Sequence, residues 1–309
     1  MPRRLLLALV GLAGALSYAA ASSQTPTFRV GVDVVYVTAT VRDQKGELVA
    51  NLTEEDFEIY EDGRPQKLTL FAPADGDGDP DNEALALNLG MLMDTSESMK
   101  DSIKLTQETA VHFLESIPRA RDLLLIFFDQ DIRLSRYTSE NQQGLFERIL
   151  EAKGRGNTAL YDAISVYLSR VADSSGRKVL IVYTDGEDTT SAIGLMDTLR
   201  LVRSSGVVVY PIAFSGASFG IGTNRYLSAN SFLSQLAEAS GGQIYSPKAT
   251  KDVAGVYTKV LDELQKQYVL GFVSDRPEKD RKFRKLLVKL KQPELRIRHR
   301  TGYYALPFR

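Results

Sequence analysis

Four runs between residues 85 and 214 are apolar at nearly every position: LALNLGMLMD, DLLLIFFD, KVLIVYTD and GVVVYPIAF. A strand with one wet face alternates apolar and polar side chains. A strand without alternation must be covered on both faces, as in a parallel sheet sandwiched between helices. Helical patterns fall between and after these runs, at residues 98–117, 142–151, 159–171, 193–203, 231–239 and 251–267. The spacing therefore predicts an α/β domain over residues 84–267, a doubly wound and mostly parallel sheet.

The flanks read differently. In FRVGVDVVYVTATV, Phe28, Val30, Val32, Val34 and Tyr36 repeat at period two, the signature of a half-buried strand. NLTEEDF sets Thr53 three residues before Asp56, which suits a short capped turn, and FEIYEDGRPQKLTLF predicts a hairpin about Asp62-Gly63. After Gln267 the chain returns to strands in YVLGFVS, KFRKLLVKLK and ELRIRHRTGYYA. Segments 25–75 and 268–309 are each too small to bury a core. They are expected to form one discontinuous β-sandwich with the α/β domain inserted. Between 25–75 and the α/β domain lies an acidic, Gly- and Pro-rich linker at 76–83. Asp75, Asp77 and Asp79 are spaced like the first ligands of a calcium loop, but Pro80 and Ala86 stand where Gly and Glu are needed. A solvated linker is the better reading.

The first residues carry a basic MPRR, an apolar LLLALVGLAGAL and an Ala19-Ala20-Ala21 site. That is the layout of a cleaved secretory signal at residues 1–21. An exported protein, periplasmic or secreted, follows, with no membrane insertion after cleavage. The 309 residues contain no Cys, which removes disulfides, thiolate nucleophiles and Cys-based zinc sites. The net charge of −1 selects neither nucleic acid nor membrane as partner. The basic stretch 276–300 reads as a solvated sheet face with guarded edges. An acidic partner surface is its alternative.

In open α/β sheets, ligands bind at the carboxyl ends of the strands. Runs here end on Asp94, Asp129 and Asp185. Asp94 is followed by Thr95, Ser96 and Ser98, and Thr158 sits in the Gly-rich GRGNTALYDAI ahead of a helix. Asp94 and Ser98 could equally cap the helix that follows them, because Asp and Ser favour that position. Asp129, Glu187 and Asp188 are assigned to the surroundings of the site.

Together, DTSES, the Thr158 loop and the strand-end Asp185 resemble the von Willebrand factor type A domain, whose metal-ion-dependent adhesion motif is Asp-x-Ser-x-Ser. The order of elements agrees over residues 85–267. Residues 32–71 and the terminal RTGYYA resemble exported bacterial proteins of that kind. The resemblance implies that Ser96, Ser98 and Thr158 supply hydroxyl ligands and that Asp94 and Asp185 bind directly or through water. An all-oxygen set suits a hard cation: magnesium, with manganese or calcium as alternatives. It implies a non-enzymatic protein-binding module whose partner offers an Asp or Glu carboxylate to complete the metal shell. A metal-dependent hydrolase and a scaffold with a fold-stabilising metal are the rival readings. His112 and His299 suggest no Ser-His-Asp arrangement, and no phosphate-binding Gly-Lys-Ser or Gly-Lys-Thr occurs.

Overall fold

The structure is a computed structural model that describes residues 34–73, 86–117, 120–138, 144–214, 224–247, 252–276, 278 and 280–305. The signal segment 1–21, the linker 76–83 and Asp75, Asp77 and Asp79 lie outside the described residues.

The first flank supplies β1 (Val34–Arg42), β2 (Phe57–Glu61), β3 (Arg64–Gln66) and β4 (Leu68–Pro73). The hairpin expected at Asp62-Gly63 joins β2 to β3, with both turn residues at positive φ (46° and 80°), the geometry that matches strand twist. Thr53 donates its backbone N–H to Asp56 Oδ2 at 2.8 Å, as its spacing predicts.

The chain then builds β5 (Leu87–Asp94), α1 (Ile103–Ser116), β6 (Asp122–Phe128), β7 (Ile132–Thr138), α2 (Leu145–Leu150) and α3 (Leu160–Val171). β8 (Arg177–Thr184), α4 (Leu195–Ser205), β9 (Val208–Ala213), α5 (Asn224–Ser240) and α6 (Val253–Gln265) follow. The sheet order is β7-β6-β5-β8-β9. β5 pairs in parallel with β6 and β8, β8 with β9, and only β7 runs antiparallel. Every residue of β5 is buried. Leu89, Met91 and Met93 pack with residues of α1, α2 and α6, while Leu92 packs with residues of α3, α4 and α5. This is the two-sided burial that the apolar runs demand. Gly90 makes room for α3: a Cβ there would lie 2.1 Å from the Tyr167 ring. Tyr167 crosses that gap to donate its hydroxyl to Val179 O at 2.8 Å.

Three expectations are corrected. The sequence reading passes over β7, because an edge strand is covered on one side and shows no continuous apolar run. The first helix starts at Ile103 and not at Ser98: a 3₁₀ turn occupies Glu97–Met99 and Ser102 stands at the helix N-cap. Asp94 and Ser98 are therefore not its caps. The third concerns the basic terminal strands.

The second flank adds β10 (Tyr268–Val273), β11 (Phe283–Leu290), β12 (Arg296–His299) and β13 (Gly302–Tyr304). They interleave with the first flank in two antiparallel sheets, β12-β1-β10-β4 and β13-β11-β2-β3. Val37, Ala39, Val41, Phe57, Ile59, Leu270, Phe272, Leu286 and Val288 form the shared core. On β11, Lys285 and Lys289 face water as expected. Arg284 does not: it is 4% exposed and donates to Arg276 O and Glu278 O at 2.6 Å. Arg298 also turns inward, onto Glu263 of α6. Glu263 is fully buried and also accepts from Tyr210 (2.6 Å), Arg42 (3.0 Å) and Thr40 (3.3 Å). Arg298, with Arg42 of β1, thus clamps the sandwich to α6 through Glu263, since a buried carboxylate is tolerated only when paired and hydrogen-bonded; Arg284 stays within the sandwich.

Candidate functional site

β5 lies at the centre of the sheet. The chain leaves it through α1 towards β6 on one side, and later reaches β8 on the other through α3, which covers the opposite face. The crevice at the carboxyl end of β5 is thus a topological switch point, where such sheets take their ligands.

Asp94 is the last residue of β5 and is 3% exposed. Its Oδ1 accepts the Ser96 N–H at 2.9 Å and its Oδ2 accepts the Thr184 hydroxyl, from the end of β8, at 2.6 Å. Both carboxylate oxygens are therefore fixed in direction. Ser96 is buried and Ser98 partly so, and their hydroxyls lie 3.1 Å apart. Asp185 follows β8 and is 8% exposed; its Oδ1 accepts the Glu187 N–H at 3.1 Å. Gly186 makes that turn possible. Its φ is +83°, and a Cβ would lie 2.8 Å from Leu233 Cδ1.

Thr158 reaches the crevice on a separate loop. That loop is stitched to the Asp94 loop by Arg155 N–H to Thr95 O (2.7 Å) and Glu97 N–H to Gly156 O (3.1 Å). It is stitched to the Asp185 loop by Thr158 N–H to Thr189 Oγ1 (2.9 Å) and by the Thr189 and Thr190 N–H groups to Thr158 O (2.9 and 3.1 Å). All five residues singled out in the sequence thus sit on three hydrogen-bonded loops at one end of the sheet. Burial, and then the Asp185 charge, push the Asp94 carboxyl up to about 7. Two carboxylates crowd one poorly hydrated space.

Two residues that hold this arrangement, Thr184 and Thr189, escaped the sequence reading, and two that it assigned to the surroundings, Asp188 and Asp129, have definite places. Thr184 looks like any strand threonine until its partner across the sheet is known. Thr189 holds the Thr158 backbone. Asp188 ties the Asp185 loop to α3. It accepts the Tyr161 N–H at 3.0 Å in the first turn of α3, whose own N-cap, Ala159, has no side-chain acceptor. Asp129 is buried behind Thr95, with its Oδ2 2.9 Å from Arg133. The two histidines lie elsewhere. His112 is exposed beside Glu115. His299 accepts the Val288 N–H through Nε2 at 3.0 Å, so its proton sits on Nδ1, which donates to Arg300 O at 2.7 Å.

The family model for the von Willebrand factor type A domain matches residues 88–259, more than half of the chain and inclusive of all five candidate residues. The chain belongs to this family. No curated protein matches it. Among solved structures it is similar to von Willebrand factor type A from Catenulispora acidiphila, at 10% identity and a TM-score of 0.49 over 89% of this chain and 73% of that one. It is similar to the conserved hypothetical protein BatB from Bacteroides thetaiotaomicron (14% identity, TM-score 0.45, 58% of this chain and 98% of that one). The vWF domain of the type V pili tip protein Mfa5 from Porphyromonas gingivalis gives 11% identity and a TM-score of 0.47 over 58% and 95%.

The residues present suit a hard divalent ion. The donors are oxygens only, two from carboxylates and the rest neutral hydroxyls, the chemistry that magnesium and calcium prefer. Among the described residues no three His, Cys, Asp or Glu side chains converge. A cation held by this set would be balanced by two carboxylates.

Proposed function

We propose that this chain is an exported, metal-ion-dependent protein-binding module without enzymatic activity, and that its crevice takes a carboxylate from a protein partner. The observation that supports this is the donor set: buried Asp94 and Asp185 at the ends of adjacent strands, with the Ser96 and Ser98 hydroxyls 3.1 Å apart on the loop that follows Asp94. Ser96, Ser98 and Thr158 would hold magnesium together with Asp94 and Asp185, directly or through water; manganese and calcium are the alternatives. Bound there, the ion supplies a Lewis-acidic centre for an anionic oxygen. The protein's own part is preorganisation. Ser96 N–H and Thr184 hydroxyl hold both Asp94 oxygens in place, so little ordering remains to be done when a ligand arrives. The remaining donors are neutral hydroxyls, weak ligands that leave the ion Lewis-acidic, which favours an Asp or Glu from outside.

A hydrolase would need a general base within reach of a water. His112 and His299 stand apart from the crevice in exposed and sandwich positions, so among the described residues the only bases at hand are Asp94 and Asp185, which the ion itself would engage; that favours the binding reading. Export is read from residues 1–21. No helix among the described residues is long and apolar enough to cross a membrane.

The test is a labelled peptide with one Glu in a Gly-Ser background, titrated with the full chain in magnesium and in chelator. Binding should require magnesium or manganese and be lost in Asp94→Ala and Thr158→Ala with circular dichroism unchanged. Equal affinity in chelator rejects the mechanism, and magnesium binding without peptide binding favours the scaffold. N-terminal sequencing of the mature protein should begin at Ser22; a chain retaining Met1 rejects the cleavage.

A further inference from the structure

Beside the crevice stand two arginines that cation binding alone does not use. The Asp129 side chain, 1% exposed at the end of β6, accepts the Asp131 N–H at 2.8 Å. Its Oδ2 lies 2.9 Å from Arg133 Nη2 and 3.5 Å from Arg155 Nε. Arg133 also donates to Thr95 Oγ1 at 2.9 Å. Two guanidinium groups therefore share one buried carboxylate. Lys100 and Glu97 nearby pair with each other at 3.1 Å.

Arg155 is the member of this group that can act outward. Its backbone N–H is bonded to Thr95 O, one residue before Ser96, at 2.7 Å, so its main chain is anchored at the mouth of the crevice. Its side chain is 67% exposed. Among the described residues its terminal nitrogens have no acceptor. Arg133 and the Asp131 N–H already satisfy Asp129, so Arg155 can swing to a new anion without stranding a buried carboxylate. A guanidinium fork offers a carboxylate two parallel hydrogen bonds.

We propose that Arg155 is a second anchor of the same site, so that the crevice recognises an acidic protein segment with two carboxylates, one at the Asp94–Ser96–Ser98–Thr158–Asp185 cluster and one on Arg155. This rests on the cation reading above. A lone carboxylate engages half of the site, and an acidic run engages all of it. The preference weakens as salt rises, because Arg155 is exposed.

Two labelled peptides of equal length serve as probes, one with a single Glu and one with a run of four Glu in the same Gly-Ser background. Fluorescence anisotropy compares wild type, Arg155→Gln and Arg155→Lys of the full chain in magnesium, with Asp94→Asn and chelator as controls. Arg155→Gln should lower affinity for the four-Glu probe about fivefold more than for the single-Glu probe, the worth of a favourable part-exposed Arg–carboxylate pair. Arg155→Lys should recover part of the difference. An equal loss for both probes, or none, overturns the Arg155 anchor while leaving the cation reading in place. Binding of either probe that persists in chelator or in Asp94→Asn overturns the cation reading instead. A calorimetric magnesium titration of Arg155→Gln, expected to match wild type, separates the two.

Discussion

Replacing Asp94 with Asn asks whether the crevice is built for a cation or for the fold. Asp94 ordinarily titrates near 3.8 and is pushed up to about 7 here. That difference is worth on the order of 4 kcal/mol against the ionised form in the folded protein. The sign follows from proton binding. Between pH 3.8 and about 7 the folded chain holds a proton on Asp94 that the unfolded chain has released, so stability from this group falls as pH rises. The cost is absent below that window and complete above it. Asn imitates the protonated acid: its oxygen can accept the Ser96 N–H and its amide can donate to Thr184. In urea denaturation at pH 7.5 with chelator, Asp94→Asn should be more stable than wild type, by at most about 4 kcal/mol and by less where water penetrates. Adding magnesium should stabilise wild type by RT ln(1 + [Mg]/Kd), about 2.7 kcal/mol at a hundredfold excess over Kd, and leave Asp94→Asn unmoved. A variant less stable than wild type in chelator, with both proteins equally indifferent to magnesium, would refute the reasoning and make Asp94 a structural acceptor.

Arg298→Ala leaves the buried Glu263 with fewer partners, and removing one side of a buried ion pair costs about 3–5 kcal/mol; Arg42 still reaches Glu263 at 3.0 Å, so the lower end is expected in chemical denaturation. His299 has its ordinary value of 6.5 lowered by burial, and Nε2 cannot be protonated while it accepts from Val288. Its contribution should therefore be complete above pH 6.5 and lost as pH falls below it, and His299→Gln should flatten that part of the stability profile; an unchanged profile would count against the assignment. Thr184→Val removes the hydroxyl on Asp94 Oδ2 at nearly constant volume, and loss of such an orienting group weakens metal binding about 10- to 100-fold. Calorimetry would read it, and unchanged magnesium affinity would show that Thr184 positions nothing.

The central sheet was legible because its strands have no wet face, so every position repeats the same message. β7 lies at the sheet edge, where Ile132 and Leu134 alternate with Arg133 and Ser135 for only four residues before Arg136 breaks the period, too short a signal to stand out beside the continuous apolar runs. Asp94 and Asp185 were legible as polar stops on apolar runs. The start of α1 was misread because Ser96 and Ser98 have the chemistry of helix caps, whereas Glu97 spends its backbone N–H on Gly156 O, across to another loop. Long-range pairing of this kind leaves no trace in spacing. Thr184 with Asp94, Asp188 with the first turn of α3, and Arg298 with Glu263 are each chemically ordinary alone and informative only as pairs. The same limit applies to Asp129: the sequence shows a third strand ending on Asp, but only the fold shows that two arginines close over it while Asp94, one strand away, has none. Three acidic strand ends thus divide into one neutralised from within and two left facing each other. Local rules agree with the fold almost everywhere else, and a functional site is where such agreement is expected to fail. A chain selected for stability alone would have no reason to bury Asp94 against Asp185; the ion and the acidic partner proposed above would supply one.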